Sequence, residues 1–196
     1  SKGKTEVSLL SSRILLEGPF LDGSWMFSGR RTYFDKFVDL YYQLNDELPD
    51  TPPGNYYFND SHFKVKTSIT PTNQLIYSQF SGNDNLGINL GGNGFPEIGL
   101  DWDWGNYTNN ITWKFIPTSN YFVESKLSQT IYDFTVDFAI DFVTDSSVVD
   151  EELSSEDADL TFTVDNLVKD VSFEQLLTYI YSEDLRFKLG WQYKTL

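Results

Sequence analysis

The stretch Gly18–Phe37, GPFLDGSWMFSGRRTYFDKF, decides how the rest of the chain is interpreted. Its Asp-Gly dipeptide at positions 22–23 lies between two runs of extended character, and Asp-Gly is a strong short-range signal for a β-hairpin. Trp25 and Phe27 follow among small and polar residues, a pattern that suits a pleated strand with one apolar and one wet face. The stretch therefore predicts a tight turn that opens into a long strand, Ser24–Leu44.

Composition excludes some classes of protein but does not decide between a membrane protein and a water-soluble one. The chain has 29 acidic and 14 basic residues, a net charge of −15, which disfavours binding to a nucleic-acid backbone. It contains 16 Phe and 12 Tyr but has a mean hydropathy of −0.36, and no apolar run reaches the roughly 18 residues of a membrane-spanning helix. Both membrane β-barrels and aromatic-rich carbohydrate-binding sandwiches combine these features, so both interpretations stay open.

Alternation of apolar and polar residues predicts an antiparallel, all-β, up-and-down fold with almost no helix. The apolar phase changes near Tyr132, which predicts a β-bulge, and a break is predicted near Val171 in the seventh strand. About eight strands are predicted: Thr5–Gly18, Ser24–Leu44, Asn55–Ser68, Gln74–Gly82, Glu97–Ile116, Tyr121–Val143, Asp159–Tyr181 and Leu185–Tyr193.

The connections between these strands alternate strictly between short and long. Two of the long ones are the Gly/Asn-rich segment Ser81–Pro96 and the acidic segment Asp145–Asp159. In an up-and-down sheet this places all short turns at one end, as in outer-membrane barrels. Eight strands would also put both termini at the long-loop end, which indicates a segment cut from a larger barrel.

Several motifs then point to one family. They are GPFLDGSWMFSGRRTYFDKF, YYFND followed by FKVK, NQLIYSQFSGND, WDWGNYTNNITWKF, and TVDNLVKDVSFEQ followed by LRFKLGWQY. In this order, over Gly18 to Tyr193, the chain resembles the β-barrel region of TonB-dependent receptors, particularly those of Bacteroidetes-like bacteria. The resemblance implies an outer-membrane active transporter with a 22-stranded transmembrane barrel, an N-terminal plug and a TonB box.

On that resemblance, residues 1–196 are a segment of the barrel, with neither plug nor TonB box. The implied partners are outer-membrane lipid, the rest of the barrel and plug, the TonB complex, and a nutrient of the siderophore, cobalamin, haem or glycan type. No nucleic acid, cofactor or catalytic constellation is predicted, so the chain is not expected to be an enzyme. The alternative is a self-standing antiparallel β protein, either a small outer-membrane barrel or a carbohydrate-binding sandwich.

Five polar residues are candidates for the lumen or for structural pairing. Arg30 and Arg31 are adjacent, so on a strand they face opposite sides. One is expected to pair with a carboxylate in the lumen, and the other to lie near the membrane interface or above it, because Arg at the lipid midplane costs about 2–4 kcal/mol. Asp60, His62 and Lys64 share one strand face and are expected to face the lumen. His62 is the one histidine of the chain.

Tryptophans form the second group of candidates. The residues Trp25, Trp102, Trp104, Trp113 and Trp191 are predicted to form aromatic girdles at the membrane interfaces. A sugar-stacking platform is the alternative for the same side chains. Neighbouring carboxylates at Asp101 and Asp103 share a strand face, but no pocket around them follows from the sequence.

Two loops resemble ion or phosphate sites only superficially. The acidic segment Asp145–Asp159 offers the carboxylates that Ca²⁺ prefers, but it lacks the spacing of an EF-hand loop. The glycines of LGGNG within Ser81–Pro96 lack the Lys and Ser/Thr that a phosphate-binding loop supplies. Both segments are therefore interpreted as solvated loops.

Overall fold

A computed structural model describes residues 1–45, 53–92, 95–142 and 158–196. These residues form one antiparallel sheet of nine strands, in which each strand pairs with its neighbours in sequence. The all-β, up-and-down prediction is confirmed. The elements are β1 (Lys2–Val7), β2 (Ser11–Phe20), β3 (Gly23–Thr32), α1 (Phe34–Gln43), β4 (Gly54–Thr70), β5 (Asn73–Gly92), β6 (Phe95–Thr118), β7 (Tyr121–Phe142), β8 (Ala158–Ile180) and β9 (Arg186–Thr195).

The turn between β2 and β3 lies one residue earlier than the Asp-Gly signal suggests. Phe20 pairs with Gly23, so the two-residue loop is Leu21–Asp22 and Gly23 already belongs to β3. Leu21 has a φ of 50°, in the left-handed region that favours Gly, Asn and Asp. The pairing of the flanking strands therefore holds Leu21 in a backbone conformation that leucine disfavours.

Substitution Leu21→Asn should stabilise the protein by about 0.5–1 kcal/mol, because Asn adopts the left-handed conformation at lower cost than a branched apolar residue. Equilibrium unfolding in denaturant measures the change. A matched substitution at the other loop residue, Asp22→Asn, should leave stability nearly unchanged. A loss of stability in Leu21→Asn would show that the Leu21 side chain makes contacts that outweigh its backbone strain.

Two predicted strands near the N-terminus are wrong in extent. The predicted strand Thr5–Gly18 is two strands, β1 and β2, joined by a turn in which Ser8 N–H donates to the Ser11 carbonyl at 2.8 Å. The predicted strand Ser24–Leu44 ends at Thr32, and α1 follows. Apolar residues at 34, 37, 38 and 41 recur with helical spacing, which overrides the extended character of the preceding segment.

Strict alternation of short and long connections is also wrong. Strand β5 continues through the predicted loop Ser81–Pro96 to Gly92, and β6 begins at Phe95, so a short hairpin replaces the long loop. The turn between β1 and β2 is a second short connection at the end of the sheet where long loops are predicted. Because β1 adds a ninth strand, the chain starts at the end with the short turns, and the prediction that both termini lie at the long-loop end is wrong.

The predicted bulge near Tyr132 and break near Val171 are absent from these strands. Strand β7 pairs with β8 in continuous register from Tyr121 to Phe142, and its pairing with β6 shifts only between Phe115 and Thr118, beside the turn. The phase of the apolar residues changes while the backbone stays regular. The cause is therefore a change of surroundings along the strand.

The described strands form a single layer without a core of their own. No hydrophobic residue in the described ranges is buried. The accessible surface is 14189 Å², whereas a compact protein of this mass exposes about 9,500 Å². The sheet is not closed, because β1 and β9 do not pair, and no second packed sheet of the kind a sandwich needs is present among the described strands. Within the described ranges, no helix is long and apolar enough to span a membrane.

Candidate functional site

The sheet has two faces, defined here as the Trp25 face and the Arg30 face. Paired residues of antiparallel strands point to the same side, and successive residues alternate. Trp25 pairs with Val65, whereas Arg30 pairs with Asp60, so the register assigns every described strand residue to one face. Ring contacts agree with this assignment, since Phe173 and Trp191 on the Trp25 face lie 5.2 Å apart.

Near the short turns, the Trp25 face is apolar. One row of paired residues crosses seven strands and contains only apolar and aromatic side chains: Trp25, Val65, Tyr77, Ile111, Leu127, Phe173 and Tyr193. Further apolar residues on this face lie within a few positions of the row: Ile14, Leu16, Phe27, Phe63, Leu75, Trp113, Phe115, Val123, Leu177, Tyr179, Phe187, Leu189 and Trp191. Together the row and these residues form the apolar belt.

The apolar belt is exposed and follows the tilt of the strands. Leu189 and Trp191 are 67% and 56% exposed, although both are large apolar side chains. The number of residues between the row that contains Trp25 and the turn of its hairpin increases across the sheet. It is two on β3, from Trp25 to Gly23, and seven on β9, from Tyr193 to Arg186. The belt shifts in the same direction, from Ile14 on β2 to Phe187 on β9. A stagger of this kind is what tilted strands in a barrel wall require.

Behind the belt, the Arg30 face is charged and polar. The row Ser24, Lys66, Ile76, Thr112, Lys126, Glu174 and Gln192 crosses the same strands, with Ile76 as its one apolar side chain. Ion pairs join neighbouring strands on this face, and we call them the polar ladder: Arg30–Asp60 at 2.6 Å, Lys114–Glu124 at 2.9 Å, Lys126–Glu174 at 3.8 Å and Lys194–Asp170 at 3.2 Å. In the half of the sheet near the short turns, the Trp25 face is therefore apolar, whereas the Arg30 face carries charges that form ion pairs between strands.

The structure places the five predicted polar residues as follows. Arg30, Asp60, His62 and Lys64 share the Arg30 face, and the Arg30 guanidinium also lies 4.6 Å from the Phe58 ring. Arg31 points to the opposite face. It donates to the buried carboxylate of Asp35 at 3.2 Å and lies 5.4 Å from the centre of the Tyr57 ring.

Exchange of the two partners in Arg30–Asp60 tests the polar ladder. Arg30→Asp or Asp60→Arg alone should destabilise the protein, because each creates a like-charge pair across the strands. The double swap should recover most of the loss, with a coupling of about 0.5–1 kcal/mol, since Arg30 and Asp60 are 50% and 22% exposed. A double-mutant cycle from chemical unfolding measures the coupling. A coupling that is absent at low salt would contradict a direct ion pair.

In the half of the sheet near the long connections, the Trp25 face becomes polar. The row Tyr57, Asn85, Asp103, Thr135 and Asp165 crosses β4 to β8. Hydrogen bonds link its members and their neighbours: Asn85 donates to Asp101 at 3.1 Å and to Asp103 at 2.8 Å, and Thr135 donates to Asp165 at 2.8 Å. The polar side chains of this half of the Trp25 face can be solvated by water.

The Arg30 face becomes apolar in the same half. Two rows of paired residues contain no charged side chain, and their hydrogen-bonding groups are the Tyr56 phenol and the Trp102 indole N–H: Tyr56, Leu86, Trp102, Val136 and Val164, and next to it Gly54, Ile88, Leu100, Phe138 and Phe162. We call these two rows, with Phe58, Trp104 and Phe134, the aromatic platform. The polarity of both faces therefore inverts about halfway along the long strands.

A shallow depression of about 430 Å³ lies where the polar ladder meets the aromatic platform. Arg30, Asp60, Asp84 and Trp104 contribute to its lining. The Tyr56 phenol donates to Asp84 at 3.3 Å, and burial together with the Asp84 charge raises the pKa of Tyr56 above its ordinary value. The phenol therefore keeps its proton and the hydrogen bond to Asp84.

The structure separates the five tryptophans into two groups. Trp25, Trp113 and Trp191 lie in the apolar belt, and Trp113 stacks on Phe115 at 5.7 Å. Trp102 and Trp104 lie on the aromatic platform, with ring centres 5.3 Å apart. The sequence pattern missed this division, although the change of apolar phase near Tyr132 was its signal.

No described group of three or more His, Asp or Glu side chains is arranged to hold a metal ion. Residues 145–157 of the predicted acidic loop lie outside the described part of the chain, as do residues 93–94 of LGGNG. The chain matches no protein-family model, and a search of curated proteins finds no significant relative.

Proposed function

We propose that the chain forms part of the barrel wall of an outer-membrane TonB-dependent transporter. Its cargo would be a nutrient of the siderophore, cobalamin, haem or glycan type. In this proposal the apolar belt contacts outer-membrane lipid and the polar ladder faces a water-filled lumen. The 22-stranded barrel, the plug and the TonB complex belong to the parent protein of this family.

The observation that carries the proposal is the apolar row from Trp25 to Tyr193, backed by the polar ladder. Lipid-facing and lumen-facing residues alternate in transmembrane barrels, with an apolar band about 25 Å tall and aromatic residues at its borders. Strands β2, β3 and β9 have ten residues each, and crossing a bilayer takes 9–11 residues. Belt and strand length therefore agree with a membrane crossing.

The inversion of polarity extends the proposal above the membrane. Strands β4 to β8 have 17–24 residues, so they would project beyond the bilayer by about half their length. There the Trp25 face would meet external water through its Asp and Asn side chains. The aromatic platform would line the vestibule that the nutrient crosses before it reaches the lumen.

Both edges of the sheet require partners in this setting. The edge strands β1 and β9 run in the same direction, because they are the first and ninth strands of an antiparallel sheet and seven strands lie between them. An unpaired backbone edge is not tolerated in hydrocarbon, and a seam between β1 and β9 would be parallel. Under the proposal, further antiparallel strands of the parent barrel pair with both edges.

Fractionation of the intact protein tests the proposal. The protein should sediment with outer membranes, resist extraction by alkaline carbonate, and require detergent to stay monodisperse. Deleting the inner-membrane energy-coupling complex should abolish uptake of its nutrient without changing fractionation. A protein that is folded and monodisperse in plain buffer would contradict the membrane assignment and favour the self-standing β protein.

A further inference from the structure

Helix α1 turns apolar side chains outward. Phe34, Phe37, Tyr41 and Leu44 recur at intervals of three or four residues, so they share one side of the helix and its C-terminal cap. They are 46%, 42%, 60% and 73% exposed. Leu40, beside them, is 50% exposed. An amphipathic helix on a water-soluble domain normally turns this side towards the protein.

The side of α1 that faces the protein carries the buried carboxylate of Asp35, and Val38 and Tyr42 on the same side are half-buried. Asp35 is 6% exposed, and its carboxylate accepts hydrogen bonds from Arg31, while the Lys36 ammonium lies 3.5 Å from it. Arg31 belongs to the Trp25 face, on which the apolar belt lies nearer to the short turns. The ion pair thus fixes α1 to the face on which the belt lies and leaves the apolar side free.

The position of α1 along the strands is set by the length of β3. Strand β3 has ten residues, which is one bilayer crossing, and α1 begins two residues after it. The turn between β1 and β2 lies at the same level, because Tyr33 N–H donates to the Leu10 carbonyl at 3.0 Å and the Tyr33 phenol donates to the Ser8 carbonyl at 2.6 Å. Leu9 and Leu10 in this turn are 79% and 57% exposed.

We propose that the exposed side of α1, together with Leu9 and Leu10, lies in the boundary between headgroups and acyl chains of the outer leaflet. This inference rests on the proposed function and goes beyond it by assigning a lipid contact outside the strands. Its occupant is lipid because the patch continues the apolar belt at the level where the bilayer would end. Phe and Tyr flanked by Lys36 and Asp39 also suit an interfacial helix.

Depth-dependent fluorescence quenching tests the assignment. The chain has no cysteine, so single-cysteine variants of the intact protein can carry an environment-sensitive fluorophore in phosphatidylcholine vesicles. Tyr41→Cys probes α1, Leu127→Cys probes the belt, and Thr135→Cys probes the polar half of the same face. Nitroxide lipids carry the quencher either near the headgroup or deep in the acyl chain.

The label at Tyr41 should be quenched at least twofold more by the shallow nitroxide than by the deep one, and Phe37→Cys should behave likewise. The Leu127 label should show the opposite preference, and the Thr135 label should be quenched by neither. If the Tyr41 and Phe37 labels resemble Thr135 while Leu127 is quenched, the α1 assignment is overturned and the belt stands. If Leu127 is not quenched, the proposed function itself is overturned.

Discussion

Under the proposed function, Leu127→Arg should destabilise the protein in vesicles by about 2–4 kcal/mol, the cost of Arg on the lipid face of a barrel near the bilayer midplane. Leu127 belongs to the apolar row from Trp25 to Tyr193 and is 46% exposed. An exposed leucine on a soluble protein would tolerate this change within about 0.5 kcal/mol. The effect therefore distinguishes lipid from water on the Trp25 face. Unfolding in denaturant, with the protein in vesicles, measures it.

Thr135→Arg is the matched control for Leu127→Arg. Thr135 lies on the same strand and the same face, eight residues farther from the short turns, beside Asp103 and Asp165. Arginine there should be nearly neutral because the surroundings are polar and acidic. Equal costs at Leu127 and Thr135 would contradict the division of the Trp25 face into an apolar and a polar half.

Gly23→Val should prevent the hairpin of β2 and β3 from docking on β4, at a cost of about 3 kcal/mol or more. A Cβ atom at Gly23 would overlap the backbone carbonyl of Lys66 and the Cα atom of Thr67. Because backbone atoms cannot move aside as a flexible side chain does, the strands would have to separate. Yield of folded protein and its unfolding midpoint in denaturant measure the effect.

Gly29→Ala serves as the control on the same strand. Its Cβ atom would meet the Phe27 ring at 3.5 Å, which is an ordinary contact, so the change in stability should stay within about 1 kcal/mol. Wild-type yield and stability in Gly23→Val would contradict the close approach of β3 to the Lys66 backbone.

The alternation of apolar and polar residues in the sequence predicts the strands and their antiparallel order well, because side-chain period is a local property of the chain. The clearest case is the C-terminal strand, predicted as Leu185–Tyr193 and observed as β9. The Asp-Gly signal likewise locates the hairpin of β2 and β3 within one residue. The sequence also predicts that one of Arg30 and Arg31 pairs with a carboxylate, whereas the register is needed to show that Arg30 pairs across the strands with Asp60.

The sequence predicts other elements wrongly where the composition of a segment and the spacing of its apolar residues indicate different structures. The sequence predicts a strand where α1 forms, because the aromatic residues of this segment have high strand propensity, although Phe34, Phe37 and Tyr41 recur with helical spacing. In the segment after Gly82, glycine and asparagine indicated a loop. The structure instead alternates Asp84, Leu86, Ile88 and Leu90 on one face with Asn and Gly on the other.

The inversion of polarity was the main feature that the sequence obscured. A change of apolar phase within a strand has two physical causes: an extra residue in the backbone, or a change of surroundings along a regular backbone. Only the register separates them, and β7 pairs continuously with β8 past Tyr132. For this reason the assignment of Trp102 and Trp104 to the aromatic platform required the structure.

A spin-label scan along β7 tests the central claim, that lipid covers one half of the Trp25 face and water the other, most directly. Single cysteines replace consecutive residues from Val123 to Asp137, and the accessibility of each label to oxygen and to an aqueous nickel complex is measured in vesicles. Oxygen access should peak at every second residue, those of the Trp25 face, from Val123 to Ile131 and disappear beyond Asp133, where the nickel complex should reach the same face. Alternating oxygen access that continues through Asp137, or access to the nickel complex at Leu127, would contradict the account.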